Sequence, residues 1–193
     1  MSNRMSSTVP IRSRLLLCAL ALSWLGHAAF AEDIVSGRFE LVDHRGQTVT
    51  ERSFDGKLRL VFFGFTQCPH ICPMTLFEVG RVMERLGDDA TKVQPLFISV
   101  DREHDTPEVI ASYVGAFHPS LLGLTGSEQQ LKAAASSFRV TYGVQPASES
   151  ASGRDTVSHS TYLFLMDRQG RFLDTFGYGS KADVILSGLR EHL

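Results

Sequence analysis

The stretch "LRLVFFGFTQCPHICPMTL" (Leu58–Leu76) decides the fold, because it predicts a buried strand that leads into a helix. Residues 58–66 are almost all apolar or aromatic, as expected of a central strand that is covered on both faces. Apolar residues then recur at helical spacing from Leu76 through Val79, and Gly87 predicts the end of that helix. The stretch is therefore interpreted as a strand–turn–helix unit.

The rest of the chain continues this alternation of strands and helices. Residues 93–101 predict a second buried strand, and Thr106 and Ser127 are the predicted N-caps of two further helices. Residues 160–176 predict a hairpin, after which a last helix closes the chain. The segment Gln145–Ser158 is rich in Ser, Ala and Gly and predicts a long mobile loop. These elements predict an α/β sandwich with a mixed central sheet.

The first 31 residues predict export. Three arginines precede an apolar run at Leu15–Leu25, and Ala29–Ala31 fits the small-residue pattern of a cleavage site. We interpret residues 1–31 as a secretory signal peptide cut after Ala31, which leaves a single domain over residues 32–193. The alternative is an uncleaved anchor formed by residues 15–31, and the short apolar run favours cleavage.

Charge and cysteine content narrow the possible functions. Removal of residues 1–31 takes away three of the 19 basic residues and none of the 21 acidic ones, so the mature domain is acidic. This balance argues against nucleic acid as a partner. Cys18 lies in the predicted signal peptide, so Cys68 and Cys72 are the two thiols of the exported domain. In an oxidising compartment such a pair must cycle between redox states or hold a ligand.

The position of Cys68 and Cys72 suits either chemistry. Ligands bind at the carboxyl ends of strands in open α/β sheets. The start of a helix stabilises thiolate and is expected to lower the pKa of a cysteine there. If one helix covers both residues, their spacing places both sulfurs on one face. A purely structural disulfide is disfavoured, because it would close a very small loop.

Four stretches resemble the Sco/SenC family: "FFGFTQCPHICPMTL" (62–76), "ISVDREHDTPE" (98–108), "GLTG" (123–126) and "HSTYLFLMDRQGRFL" (159–173). The resemblance runs from about Phe39 to the C-terminus. It implies a thioredoxin-like three-layer sandwich with a mixed central sheet and an added N-terminal β-hairpin. It also implies a copper metallochaperone that helps to assemble the binuclear copper site of cytochrome c oxidase.

Carried over residue by residue, the resemblance implies Cys68, Cys72 and His159 as ligands of Cu(I) or Cu(II). It also implies a supporting role for Asp105. The chain departs from the family inside the CxxxC loop, where His70 stands in place of the usual acidic residue. Two thiolates and an imidazole suit copper, and the residues alone do not exclude zinc.

A second interpretation of the same residues is a thiol–disulfide oxidoreductase. Cys68 would attack as the thiolate and Cys72 would resolve the mixed disulfide, keeping the oxidase copper-site cysteines reduced. Such enzymes usually place a cis-proline opposite the cysteines, whereas "RDTVSHSTYLF" (154–164) has none. A peroxidase-like role that uses Thr66 beside Cys68 is a minor third interpretation. The sequence leaves open whether the protein is an enzyme.

The expected partners follow from the copper interpretation. They are the copper-site subunit of cytochrome c oxidase, a copper donor protein and an upstream thiol reductant. The reductant is expected because an oxidised Cys68–Cys72 bridge cannot ligate copper in the same way. The expected location is the periplasm.

Overall fold

The computed structural model describes residues 35–145 and 156–193, without the side chains of residues 144, 145 and 156–159. The predicted signal peptide and its cleavage site lie outside the described residues. Among those residues, none of the helices has the length and apolar character needed to span a membrane.

The described residues form nine strands and four α-helices. The strands are β1 Glu40–Asp43, β2 Thr48–Thr50, β3 Leu58–Gly64, β4 Val93–Ser99, β5 Leu122–Thr125, β6 Tyr142–Gln145, β7 Thr156–His159, β8 Leu163–Met166 and β9 Phe172–Phe176. The helices are α1 Ile71–Leu86, α2 Pro107–Gly115, α3 Glu128–Ser137 and α4 Ala182–Arg190.

Seven strands form one mixed sheet in the order β2-β1-β5-β4-β3-β8-β9. Its centre is parallel, because β4 pairs in parallel with both β3 and β5. The β8–β9 hairpin adds to β3 antiparallel, and the β1–β2 hairpin adds to β5 antiparallel. The carboxyl ends of β3 and β4 therefore lie side by side, and the two cysteines follow β3.

Local sequence signals account for the ends of these elements. All seven residues of β3 are buried, which confirms the prediction of a strand covered on both faces. The side chain of Thr106 accepts a hydrogen bond from the Val109 N–H and begins α2. Ser127 caps α3 in the same way. Gly87, with a φ of 55°, ends α1 in a backbone conformation that favours glycine.

Two apolar cores, one on each face of the large sheet, give three layers. The first contains residues of α1, α2 and α4 together with Cys68 and Cys72. The second contains residues of α3 and a group of three phenylalanines, Phe63, Phe138 and Phe164. This arrangement confirms the predicted three-layer α/β sandwich with a mixed sheet.

The predicted loop over Gln145–Ser158 was wrong at both ends. Gln145 pairs with Thr156 and Gly143 pairs with Ser158, so residues 142–145 and 156–159 form an antiparallel ribbon of two strands. Pairing between the two strands supplies the hydrogen bonds that the sequence composition did not indicate. Residues 146–155 lie outside the described residues.

Candidate metal centre

The two cysteines lie where β3 turns into α1. The helix begins at Ile71, so it contains Cys72 but not Cys68, which belongs to the preceding turn. The condition that one helix covers both residues is therefore not met. The turn is closed by a hydrogen bond from the Cys68 N–H to the Phe65 carbonyl oxygen, at 3.3 Å. His70 is the N-cap residue of α1, is exposed, and makes no capping bond through its side chain.

The turn nevertheless brings the two sulfurs together. The Cys72 N–H donates a hydrogen bond to the Cys68 sulfur over 3.4 Å. This N–H is one of the backbone groups at the start of α1 that have no acceptor within the helix. The two thiols also share a side-chain hydrogen bond. They form no disulfide. Cys68 is 9% exposed and Cys72 is fully buried, so this is a reduced dithiol at the edge of the core.

The expectation that the start of the helix lowers the pKa of a cysteine there was wrong for Cys72. The pKa of the Cys72 thiol is raised, first by its hydrogen bond with Cys68 and then by burial. A backbone hydrogen bond at Phe65 acts in the opposite direction, and the charges of Cys68 and Asp105 raise the pKa further. In the metal-free protein Cys72 is therefore a neutral thiol at neutral pH.

The Cys72 sulfur packs against the end of β3. A Cβ atom placed on Gly64 would lie 2.7 Å from the Cys72 Sγ and 2.9 Å from the Phe97 ring. Only a residue without a side chain leaves room here for the sulfur. Gly64 thus sets how closely the second thiol approaches the sheet.

Asp105 ties the cysteine turn to the neighbouring strand. Its carboxylate accepts hydrogen bonds from the Thr66 N–H at 2.9 Å, from the Thr66 hydroxyl at 2.6 Å and from the Ser99 hydroxyl. Asp105 is 1% exposed. Because Thr66 lies two residues before Cys68, Asp105 is linked to the cysteine turn, and its supporting role stays a prediction.

His159 is the last residue of β7, and its backbone is opposite Tyr142 of β6. Its side chain is not among those that the structure describes. Among the described side chains, no group of three or more His, Cys, Asp or Glu residues is arranged to hold a metal ion. The structure therefore brings Cys68, Cys72 and Asp105 to one place, and the ligand set of Cys68, Cys72 and His159 stays a prediction.

Sequence reasoning missed part of this site. Gly64 and Ser99 were not singled out, and Thr66 was considered only for a peroxidase. Gly64 has a sequence signal, since a glycine inside an otherwise bulky apolar strand indicates close packing by another group. Ser99 has no comparable signal, because its role depends on the adjacent ends of β3 and β4.

Comparison with known proteins gives consistent matches. The SCO1/SenC family model matches residues 28–193. The mouse mitochondrial protein SCO2 homolog is 37% identical over 204 residues, with 95% of this chain and 79% of the relative covered. The human protein is 41% identical over 159 residues, which are 81% of this chain but 59% of the relative, so the chain spans less than two thirds of that protein.

Solved structures agree with these matches. The copper-bound ScoI of Bradyrhizobium japonicum superimposes with a TM-score of 0.74 at 38% identity, covering 82% of this chain and 99% of that one. Copper-bound yeast Sco1 gives a TM-score of 0.73 at 36% identity, covering 82% and 87%. The fold is thioredoxin-like, as predicted.

Proposed function

Because the chain belongs to the SCO1/SenC family, we propose that it is a copper metallochaperone that binds copper through Cys68, Cys72 and His159. Its cargo would be delivered to the binuclear copper site of cytochrome c oxidase. The observation that carries this proposal is the reduced dithiol at the carboxyl end of β3, with the two thiols in hydrogen-bond contact.

The ligand chemistry of this dithiol favours copper. Thiolate sulfurs are soft ligands that prefer Cu(I), and an added imidazole also suits Cu(II). A structural zinc site is normally closed by four protein ligands, whereas Cys68, Cys72 and His159 supply three. An incomplete set leaves one side of the ion accessible, which an ion handed to another protein requires.

Copper uptake would displace protons from the two thiols. The pKa of Cys72 is raised in the metal-free protein, so the thiol must lose its proton as the ion binds. Asp105 holds Thr66 and with it the turn that contains Cys68. In this proposal Asp105 is a positioning residue, and it keeps the first sulfur in place while the second changes its charge.

The same dithiol favours a second candidate, a thiol–disulfide oxidoreductase acting on the oxidase cysteines. The contact between the thiols would allow a disulfide to form after small movements. Two observations weigh against rapid exchange: Cys68 is almost buried, and the raised pKa of Cys72 leaves little thiolate at that sulfur. We therefore propose thiol–disulfide exchange as the second function, in which the oxidation state of the two cysteines controls whether copper can bind.

The test is an anaerobic titration of the reduced protein with Cu(I) and, separately, with Cu(II), with absorption spectra. We expect about one copper per chain and a thiolate-to-Cu(II) charge-transfer band. Cys68→Ala and Cys72→Ala are expected to lose binding. His159→Ala is expected to bind more weakly and to lose the charge-transfer band of the complete site.

Two controls make this experiment decisive. Met83→Leu removes a buried sulfur of the same core that is no proposed ligand, and it should bind copper as the wild type does. The oxidised wild type should not load copper until it is reduced. Full affinity in His159→Ala would disprove the three-ligand site, and equal loading of the oxidised protein would remove the need for a reductant.

The partners proposed are the copper-site subunit of the oxidase, a copper donor protein and a thiol reductant. The proposed location is the periplasm, after cleavage at about Ala31. Met74 and Phe77 are exposed on the first turns of α1, just after the cysteines, and give this end of the protein apolar surface for a protein contact.

A further inference from the structure

The surface beside the cysteine turn has an apolar centre. Met74 and Phe77 lie one turn apart on α1, shortly after Cys72, and are 44% and 58% exposed. Tyr178, between β9 and α4, is 51% exposed, and its hydroxyl donates a hydrogen bond to the Met74 sulfur at 3.5 Å. Neighbouring large apolar side chains that remain exposed are typical of a protein interaction site. We refer to Met74, Phe77 and Tyr178 as the α1 patch.

A narrow groove next to Met74 leads from this patch towards the core. It lies between α1, the end of β9 and the start of α4, and its lining includes the buried side chains of Leu163, Phe176 and Ile185. Gly177 also lines the groove, and a Cβ atom placed there meets none of the described residues within 4 Å. Methionine is unbranched and flexible, so Met74 can move to admit an apolar side chain of another protein.

The rim of the α1 patch is positive, although residues 32–193 are acidic as a whole. The side chains of Arg81, one turn after Phe77, and of Lys181, at the N-cap of α4, are 47% and 64% exposed. Both cations pair with the carboxylate of Glu78, at 3.5 and 3.4 Å, and that side chain is only 10% exposed. The next carboxylate on α1, that of Glu84, comes two turns after Phe77. Two exposed positive charges therefore share one nearly buried negative charge.

We propose that the α1 patch docks the copper acceptor, a protein that presents an apolar side chain to the groove and carboxylates to the positive rim. This inference rests on the proposed function and specifies the chemistry of its partner. Cys68 is 9% exposed and Cys72 is fully buried, so an ion held there leaves through a partner seated against this end of the protein. The apolar centre excludes water from that contact, and the charged rim orients the two proteins.

A second copy of this chain fits the α1 patch less well. A contact between two copies related by a two-fold axis brings the same surface of each copy together. Arg81 and Lys181 of one copy would then face the same cations of the other, which opposes association. An acceptor with carboxylates around an apolar side chain meets both features of the surface.

The test is the association of the purified protein, metal-free and copper-loaded, with the soluble domain of the oxidase copper-site subunit, measured by titration calorimetry. Phe77→Ser removes the most exposed side chain of the α1 patch and should raise the Kd roughly tenfold or more. Gly177→Leu should act similarly, because its side chain would fill the groove. Both variants should keep the wild-type Cu(I) affinity in chelator competition, because both residues lie outside the proposed ligand set.

Arg81→Gln tests the charge of the rim. Its Kd at low salt should be roughly three- to tenfold above that of the wild type, because a rim charge steers association. The difference should disappear in about 0.5 M salt, where exposed charges are screened. A wild-type Kd that does not rise with salt would overturn the proposal of an acidic partner.

Phe172→Ser is the matched control. Phe172 is 38% exposed and begins β9, at the other end of that strand from Tyr178, so its loss should leave the Kd unchanged. A wild-type Kd in Phe77→Ser, or an equal loss of association in Phe172→Ser, overturns the inference alone.

Three further outcomes separate the inference from the proposed function. A wild type that binds copper but does not associate with the oxidase domain overturns the docking inference and leaves the copper site standing. Self-association that Phe77→Ser abolishes, measured by sedimentation, also overturns it and assigns the α1 patch to a second copy. A wild type that takes up no copper overturns the proposed function together with the inference.

Discussion

Two of the buried carboxylates, those of Asp105 and Glu78, are satisfied in different ways. Just before α2, Asp105 accepts hydrogen bonds from Thr66 and Ser99, which are neutral donors. In the middle of α1, Glu78 accepts from the Ala182 N–H at 2.9 Å and faces the cations of Lys181 and Arg81. None of the salt bridges formed by the described residues includes Asp105.

This difference predicts a structural role for Glu78 and a functional role for Asp105. The charge of Glu78 is balanced locally, and its bond to Ala182 fixes the start of α4 against α1. The charge of Asp105 is only solvated by hydrogen bonds, so it still acts on its surroundings and raises the pKa of Cys72 and of Tyr113. We therefore expect changes at Asp105 to reach the metal centre and changes at Glu78 to stay in the fold.

The largest effect is expected for Asp105→Ala. The Thr66 N–H and the Ser99 hydroxyl would lose their acceptor, and these unsatisfied donors should lower the free energy of unfolding by about 3 kcal/mol. The turn that holds Cys68 is also released, so copper affinity should fall roughly ten- to hundredfold. Urea unfolding of the metal-free protein and chelator competition measure the two effects.

Asp105→Asn is the matched variant for charge alone, since an amide of the same shape can keep bonds to Thr66 and Ser99. It should be more stable than Asp105→Ala. Its Cu(II)/Cu(I) reduction potential should rise, because a negative charge near the ion favours the higher oxidation state. An unchanged potential would mean that Asp105 acts by hydrogen bonding only.

An intermediate effect is expected for Gly64→Ala, which tests whether the site needs close packing as well as charge. The new methyl group would meet the Cys72 sulfur and the Phe97 ring, at a cost of about 2 kcal/mol of stability. Displacement of the sulfur should weaken copper binding. Thermal unfolding and chelator competition give the readouts.

Gly115→Ala is the control for this substitution. A methyl group there meets nothing within 4 Å, so stability and copper binding should be unchanged or slightly improved. Wild-type copper binding in Gly64→Ala would show that the second thiol does not depend on its contact with the strand.

The smallest effect is expected for Glu78→Gln, about 1 kcal/mol at neutral pH and none on copper affinity. Burial alone raises the pKa of Glu78, but the Ala182 N–H, Lys181 and Arg81 outweigh it and lower the pKa below its usual value. This stabilisation is complete above the unfolded-state pKa of about 4.3 and is lost as the pH falls through the folded-state pKa.

The difference in stability between wild type and Glu78→Gln should therefore shrink on acidification below about pH 4. Urea unfolding at pH 7 and at pH 3.5 measures it. Weaker copper binding in Glu78→Gln would contradict the separation between the two carboxylates.

Much of the fold was predictable because its signals are local. The apolar run of β3, the caps at Thr106 and Ser127 and the stop at Gly87 each depend on a few neighbouring residues. The β6–β7 ribbon was missed because its two strands are only four residues each and lie at the ends of a segment rich in Ser, Ala and Gly, whose composition indicated a loop.

The sequence predicts a set of ligands for the site, which stays a prediction, but it does not predict the surroundings of those residues. Cys68 and Cys72 carry a spacing signal, and Asp105 came from the resemblance. Gly64 was not singled out, because the sequence does not show that the Cys72 sulfur packs against it. The raised pKa of Cys72 was missed because it depends on burial and on the second sulfur.

The two sides of the proposed copper site belong to sheets of different size. The cysteines follow a central strand of a seven-stranded sheet, whereas His159 lies in a ribbon of two strands. An isolated two-stranded ribbon is only marginally stable, so its opening costs a small part of the free energy of global unfolding. Amide hydrogens of β7 should exchange with solvent much faster than those of β3, and an ion would leave the imidazole before it leaves the sulfurs.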